Sequence, residues 1–298
     1  MQRRKFILNS TLTLAGLTLS NKEMFAFFLS DPGWKIKMLT DNIGVFSEKG
    51  GTIAFLLSTN GTVVVDAQFP DSAGHLIGEI KKKTENPFDL LINTHHHGDH
   101  TSGNIAFKGL VKHILAHENS KTNQARVAKE QNKEDQQLYP DQIFTTTWCA
   151  PSAKEKICLS YFGPGHTNGD SLVHFQHANI VHLGDLVFNR RHPYIDKSAG
   201  ADIGNWIKLL DKATNTYDRK TQYICGHAGD GYDIVIKTED LLAFRDYLGN
   251  LLTFVEKEIK AGKTKEDILK ATAIPGSPEW KGEGIDRPLK AAYQELTT

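Results

Sequence analysis

The sequence predicts an α+β protein in which two β-sheets pack face to face and helices cover their outer surfaces. Both halves of the chain contain short runs of β-branched and aromatic residues, separated by turn signals such as the Thr-Asn-Gly at 59–61. In each half these runs are followed by segments whose apolar residues have helical spacing. Strands and helices do not alternate one by one, and no GxGxxG or P-loop sequence occurs, so a nucleotide-binding parallel sheet is not indicated.

The first half is expected to supply one sheet. Strands are predicted at 34–39, 42–48, 52–58, 62–68, 88–94 and 113–118. The turn at 59–61 predicts a hairpin between two of them. An amphipathic helix is predicted at 71–84, with Asp71 or Ser72 as its N-cap, and a polar helix at 119–137.

The second half repeats this order. Strands are predicted at 155–163, 171–178, 180–188 and 221–225, and helices at 203–217, 238–262, 264–273 and 288–296. No linker rich in proline or serine separates the halves. We therefore predict one domain over 31–298, in which 237–298 is a C-terminal helical segment.

Composition places the chain among ordinary globular proteins. It has 298 residues, of which 39% are hydrophobic and 23% charged, and its formal net charge is zero. A neutral chain lacks the basic surface that nucleic acid requires, so the expected partner is a small-molecule substrate. No apolar run after the N-terminus is long enough to span a bilayer, and the sequence does not indicate an oligomeric state.

Residues 1–30 have the layout of an export signal. Arg3, Arg4 and Lys5 precede a mildly apolar stretch from Phe6 to Leu19. The paired arginines resemble a twin-arginine signal, which predicts a periplasmic or secreted bacterial protein. The alternative is a basic amphipathic helix. No clear cleavage site follows, so the mature start is expected between about 20 and 31.

Three cysteines make an odd count, which does not describe a disulfide framework. Cys149 and Cys158 either form a pair or remain reduced within strands, and the sequence leaves both alternatives open. Cys225 is expected to be a buried core thiol.

The stretch "NTHHHGDHTSGN" at 93–104 is the strongest indication of chemistry. In extended chain, residues two apart point the same way, so His95 and His97 project together while His96 points elsewhere, as a non-ligand at the rim. Asp99 and His100 follow in a loop. Two imidazoles on one side, with a carboxylate and a third imidazole nearby, suit one or two zinc-like ions.

Three other places offer further ligands in a common local form. His166, Asp185 and His227 each lie beside glycines at the end of a predicted strand, in "GPGHTNGD", "HLGDLVF" and "ICGHAGDG". Glycines of this kind let backbone approach an ion closely. Together with the His-x-His-x-Asp-His motif they predict a metal site at the lip of a sheet.

These four motifs, in this order, resemble those of the metallo-β-lactamase superfamily over roughly residues 36–232. The resemblance implies an αββα sandwich of two mixed sheets flanked by helices. It also implies a first metal bound by His95, His97 and His166, and a second bound by Asp99, His100 and His227, with Asp185 bridging both. Asp66 falls where the family has an acid that braces the histidine loop; the alternative role is a turn starter.

The resemblance further implies two Zn²⁺ ions, with iron or manganese as alternatives. Such ions lower the pKa of a shared water from about 15.7 towards 7 and present hydroxide as the nucleophile, while Asp99 orients it. The expected activity is hydrolysis of an ester, lactone, lactam, thioester or phosphodiester. No serine or cysteine nucleophile is required.

The motifs favour different branches of the superfamily. His100 and the export signal favour a true metallo-β-lactamase, whereas Asp185 disfavours it, because such lactamases carry cysteine or serine at that position. "HLGDLVFNRRHP" most resembles a hydrolase branch related to sulfur-oxidation and quinoprotein relay proteins. A mononuclear iron persulfide dioxygenase is the alternative from another class.

Substrate-binding residues are expected in the loop after Asp185. Arg190, Arg191 and Tyr194 offer cationic and aromatic groups there, which could hold an anionic substrate by charge-assisted hydrogen bonds. The alternative is a solvated surface loop.

Overall fold

Seven strands of the first half lie side by side in chain order and form one mixed sheet. They belong to a computed structural model that describes residues 33–298. The strands are β1 (Lys35–Met38), β2 (Ile43–Ser47), β3 (Ile53–Leu56), β4 (Thr62–Val65), β5 (Phe88–Asn93), β6 (Val111–His117) and β7 (Gln142–Phe144). Strands β2 to β4 pair antiparallel and β4 to β7 pair parallel. The hairpin predicted at 59–61 joins β3 to β4.

Six strands of the second half form the other mixed sheet, in the order β13-β12-β11-β10-β9-β8. They are β8 (Thr147–Ser152), β9 (Glu155–Ser160), β10 (Leu172–Phe175), β11 (Ile180–Asn189), β12 (Gln222–Ala228) and β13 (Val235–Ile236). Only β11 and β12 pair parallel, and their register shifts on either side of Gly184. This irregular stretch contains Asp185, which therefore lies inside β11 and not at the end of a strand as predicted.

Alternation along the strands builds the core between the sheets. Val63 and Val65 of β4 pack into the same buried cluster as Val173 and Phe175 of β10. The residue between the two valines, Val64, is equally buried but does not belong to that cluster. This period of two is what a sheet covered on both faces requires.

Helices cover the outer faces. The helices are α1 (Pro70–Lys81), α2 (Gly98–Thr101), α3 (Glu118–Glu130), α4 (Ile203–Thr216), α5 (Thr238–Lys260), α6 (Lys265–Ile268) and α7 (Asp286–Thr297). The single turn α2 is the exception to this arrangement, because it follows the end of β5 and carries Asp99 and His100. On the second sheet, Trp206 of α4, Phe244 of α5 and Leu289 of α7 share one buried cluster with Val181 of β11. On the first, α1 buries Leu76, Ile77 and Ile80. The predicted αββα sandwich is confirmed, and Ile36–Thr298 forms one compact unit.

Several predicted boundaries were wrong. Helix α1 begins at Pro70, whose ring suits a first helical position, so neither Asp71 nor Ser72 is its N-cap. Strand β12 does not end at Cys225 but continues through His227 to Ala228. Strands β7, β8 and β13 were not predicted, because they are short or carry partly exposed polar residues.

A disulfide joins Cys149 to Cys158, which face each other across β8 and β9. Cys225 is free and buried, as predicted. The predicted export signal at 1–30 lies outside the described residues. Within 33–298, no helix combines the length and apolar character that crossing a bilayer needs.

Replacing both bridged cysteines, Cys149→Ser with Cys158→Ser, should lower the free energy of unfolding by about 2 kcal/mol, because the cross-link restricts the unfolded chain. Urea denaturation followed by circular dichroism measures this. Wild type with added reductant is the control and should match the double variant. An unchanged midpoint in both would show that the bridge contributes nothing to stability.

Candidate metal centre

The predicted ligands converge where strand ends of both sheets meet. The amide of Ser171 donates to the carbonyl of Thr94 at 2.8 Å, and the amide of Thr52 donates to the carbonyl of Gly226 at 2.9 Å. These bonds connect one sheet to the other beside β5 and β12. The loops that follow the strands are therefore held against each other, which fixes the site on rigid elements.

Three imidazoles form the first half of the centre. His97 Nδ1 lies 3.1 Å from His95 Nε2 and 2.9 Å from His166 Nε2. His95 and His166 are almost fully buried, and His97 is partly exposed. Three ring nitrogens converging on one point form the kind of set that binds a zinc-like ion.

Asp99, His100 and His227 form the second half. His227 Nε2 lies 3.1 Å from Asp99 Oδ2, and His100 Nε2 lies 3.8 Å from the same oxygen. His100 is fully buried, whereas 30% of the Asp99 side chain is exposed. Asp99 is therefore the member of this group that solvent reaches most easily.

The carboxylate of Asp185 lies between the two groups. Its Oδ2 is 3.4 Å from His166 Nε2 and 3.9 Å from His95 Nε2. Its Oδ1 is 3.0 Å from His100 Nε2 and 3.4 Å from His227 Nε2. Oδ2 thus faces the first half of the centre, and Oδ1 faces the second half.

Outer hydrogen bonds fix which ring nitrogen points inward. Thr94 Oγ1 lies 3.0 Å from His95 Nδ1, and the carbonyl of Tyr194 accepts from His166 Nδ1 at 2.7 Å, so both rings present Nε2. His97 is turned the other way, because Asp196 Oδ2 lies 3.0 Å from its Nε2. Such partners orient metal-binding histidines and raise their basicity.

Asp66 holds His100 and the histidine loop together. Its Oδ1 accepts from the amide of Thr94 at 2.8 Å, and its Oδ2 accepts from the hydroxyl of Thr94 at 2.8 Å. The same Oδ2 lies 2.8 Å from His100 Nδ1. Asp66 has a positive φ of 66°, a conformation that aspartate tolerates better than most residues.

Two glycines allow the backbone to lie directly against the centre. A β-carbon at Gly226 would overlap Asp185 Oδ1, and one at Gly51 would overlap the imidazole of His100. The sequence predicted that glycines beside the ligands permit close approach, and Gly226 is such a glycine. The role of Gly51 was missed, because this residue is far in sequence from every predicted ligand.

Burial and neighbouring charges shift the pKa values of the imidazoles in opposite directions. Burial lowers the pKa of His95 well below its ordinary value and that of His166 to about 3. Burial also opposes protonation of His100 and His227, but neighbouring carboxylates, Asp185 foremost, overcome it. The pKa of His100 is therefore raised, and that of His227 is raised to about 9.

The donor set fits metal ions. Within the described residues, His100 Nε2 and Asp185 Oδ1 are buried and lack a hydrogen bond of acceptable geometry, although they lie 3.0 Å apart. Unpaired buried atoms of this kind are costly unless something else satisfies them. A divalent cation would do so, and nitrogen and carboxylate ligands are those that zinc accepts.

Sequence reasoning missed Asp196 and misplaced His96. The side chain of His96 is buried instead of lying at the rim, with its Nε2 3.5 Å from Asp196 Oδ2. His96, His97 and Asp196 are close enough to form a further group of potential ligands. Nothing local marks Asp196, because its role depends on a contact with a residue 99 positions earlier.

Asp170 was also missed. Its carboxylate accepts from the amide of Thr167 at 2.8 Å and from the Thr167 hydroxyl at 2.6 Å, which orders the loop that carries His166. Burial raises the pKa of Asp170 to about 7.

The three predicted substrate residues have different surroundings. Arg190 donates to Asp240 at 2.8 Å and to Glu279 at 3.3 Å, so its guanidinium holds the C-terminal segment instead of facing a substrate. Arg191 is exposed. Tyr194 is 46% exposed, and its ring centre lies 5.4 Å from that of His97, so it alone stands both beside the centre and in solvent.

An αββα sandwich with a histidine and aspartate cluster at its lip defines a class of metal-binding proteins. The family model described as the metallo-beta-lactamase superfamily matches residues 48–227, more than half of the chain. The chain belongs to this superfamily, as its motifs predicted.

Individual relatives are distant. Metallo-beta-lactamase IND-1 from Chryseobacterium indologenes is 26% identical over 187 residues, which cover 62% of this chain and 75% of that protein. A metallo-beta-lactamase from Pontibacter korlensis superposes with a TM-score of 0.62 at 18% identity, covering 73% of this chain and 99% of that one. The sec-alkylsulfatase Pisa1 from Pseudomonas sp. superposes with a TM-score of 0.69 at 14% identity, covering 88% of this chain and 50% of that one. At such identities the two solved structures show a shared fold.

Changing Asp66 to asparagine should weaken zinc binding about 10- to 100-fold, because the anionic partner of His100 is lost while the side-chain shape is kept. Competition with a chromogenic chelator measures this. Asp41→Asn, at an exposed position, is the matched control and should bind zinc as wild type does. Equal affinities for the two variants would contradict a supporting role for Asp66.

Proposed function

We propose that this protein is an exported dinuclear zinc hydrolase that acts on an ester, lactone, lactam, thioester or phosphodiester. One observation carries the proposal: the two oxygens of Asp185 face two separate groups of ligands, His95, His97 and His166 on one side and Asp99, His100 and His227 on the other. A carboxylate in that position can bridge two cations.

Zinc ions held by these groups would supply a water of lowered pKa and would polarise the bond to be cleaved. The protein's own residues supply position and charge. Asp185 is nearly inaccessible, whereas Asp99 is partly exposed, so Asp99 is the carboxylate able to accept a hydrogen bond from a nucleophilic water and orient it. Tyr194 forms part of the accessible edge.

The relatives bear on the substrate class in different directions. Resemblance to lactamase IND-1 favours a β-lactam as a second candidate. An aspartate at 185 favours esters, lactones, thioesters or phosphodiesters, as expected from the motif. The fold shared with a sec-alkylsulfatase adds alkyl sulfate esters to the compounds worth assaying. The branch related to sulfur-oxidation and quinoprotein relay hydrolases stays a prediction.

Export rests on the sequence of residues 1–30, and the disulfide between Cys149 and Cys158 supports it. Disulfides persist in oxidising compartments and are rare in the cytosol of mesophiles. A periplasmic or secreted location is consistent with both features.

The hydrolase proposal predicts two zinc ions per chain in wild type, and fewer in Asp185→Asn, because the neutral amide cannot bridge two cations. Hydrolysis of any accepted substrate should fall by more than about a hundredfold in the variant. Elemental analysis, together with a screen of lactam, lactone, thioester, phosphodiester and sulfate ester substrates, measures both. Asp41→Asn serves as the control.

A mononuclear iron oxygenase is the competing class. One iron per chain with oxygen consumption on a persulfide substrate, and no hydrolysis by zinc-loaded protein, would overturn the hydrolase proposal.

The charged surroundings predict pH-dependent metal binding. Despite burial, Asp185 and Asp99 raise the pKa of His227 to about 9, so the metal-free protein holds a proton there at pH 7.5. Zinc must displace that proton, and apparent affinity should rise with pH up to about 9. Calorimetric titrations in buffers of different ionisation enthalpy should show release of at least one proton at pH 7.5. No release would contradict the raised pKa.

A further inference from the structure

A cavity of about 290 Å³ lies between the loop at 194–198 and one face of helix α7. We propose, on the basis of the hydrolase function proposed above, that this cavity binds the part of the substrate remote from the scissile bond. We further propose that this part carries an anionic group, such as a carboxylate, which Arg287 and Lys290 bind.

The cavity and the metal centre share residues. Tyr194 lines the cavity, and its ring lies against His97 while its carbonyl accepts from His166. Asp196 also lines the cavity, and its carboxylate holds His97 at the Nε2 of that ring. The cavity therefore adjoins the centre at Tyr194, the exposed residue past which the remote part of a substrate would extend.

Helix α7 presents a cationic face to the cavity. Arg287, Lys290 and Gln294 line it, and their spacing of three and four residues places them on one side of the helix. Both cations are exposed, and neither forms an ion pair with any described residue. Arginine and lysine side chains of this kind are suited to bind a carboxylate.

The remaining charges of the cavity wall are mostly satisfied. Lys197 donates to Glu295 at 3.0 Å and to the carbonyl of Ala201 at 2.7 Å. Asp196 is engaged by histidines and accepts from the Ser198 hydroxyl at 2.5 Å. Asp286 is the one lining carboxylate without an ion pair among the described residues, and Arg287 and Lys290 are the two lining cations without one.

The helix that carries these cations is firmly attached. Glu295 accepts from the amides of Ile203 and Gly204, both at 2.9 Å, and thereby joins the end of α7 to the start of α4. Leu289 and Ala292 are fully buried against the second sheet's helices. The helix backbone is therefore fixed in place, and the cost of ordering on binding is confined to the two cationic side chains.

The test compares two esters that differ in one charge: mono-p-nitrophenyl adipate and its neutral methyl ester. Zinc-loaded wild type should show a KM about tenfold or more lower for the anionic ester, with similar kcat. The double variant Arg287→Gln with Lys290→Gln should lose this preference and keep its activity on the neutral ester. The matched control, Arg219→Gln with Lys220→Gln, removes an exposed Arg-Lys pair elsewhere and should behave as wild type.

A binding measurement separates this inference from the hydrolase proposal. Adipate titrated calorimetrically into the metal-free full chain should bind wild type at least about tenfold more tightly than Arg287→Gln with Lys290→Gln. If neither ester is hydrolysed but this difference in binding appears, the hydrolase proposal fails and the anion site stands. If wild type binds no adipate, or the double variant binds it equally well, the anion site is refuted whatever the hydrolysis shows.

Discussion

The carboxylate of Asp185 is the constraint on which the rest of the site depends. A buried negative charge is unfavourable unless cations or hydrogen-bond donors surround it. Here four imidazoles, two on each side, lie within 3.9 Å of its oxygens. Without metal, Asp185 raises the pKa values of His100 and His227 against the effect of burial, which favours cationic imidazoles beside it. Bound metal ions would supply the positive charge in their place. The same carboxylate therefore sets the charge of the centre in both states.

Keeping four imidazoles around one carboxylate requires support from both sheets. The bulged pairing of β11 and β12 presents Asp185, the end of β5 presents His95, and backbone bonds across the sandwich hold these strand ends together. Outer partners then select one nitrogen of His95, His100 and His166, and Asp196 turns His97 the opposite way. The αββα fold thus contributes position, while short-range hydrogen bonds contribute orientation.

Features that depend on residues close together in the sequence could be predicted from it. Period-two apolar runs predicted most strands, and a strand entering a histidine motif predicted that His95 and His97 project together. Features that depend on contacts between distant segments were not predictable in this way. Asp196 and Gly51 have ordinary neighbours in sequence, and only the packed loops place Asp196 against His97 and Gly51 against His100. Pairing of Cys149 with Cys158 likewise required the register of β8 and β9.

The C-terminal segment changes which cation is the candidate for recognising an anionic substrate. A cationic group near the centre was expected from Arg190, because this residue follows Asp185 closely in sequence. Folding instead places Arg190 between Asp240 and Glu279, beside the ring of Trp280 at 5.2 Å, where it fastens the segment to the sandwich. On α7, Arg287 lines the cavity next to Tyr194 and has no carboxylate partner among residues 33–298. An arginine already paired by two carboxylates has little capacity left for a substrate, so the unpaired one is the better candidate for recognising charge.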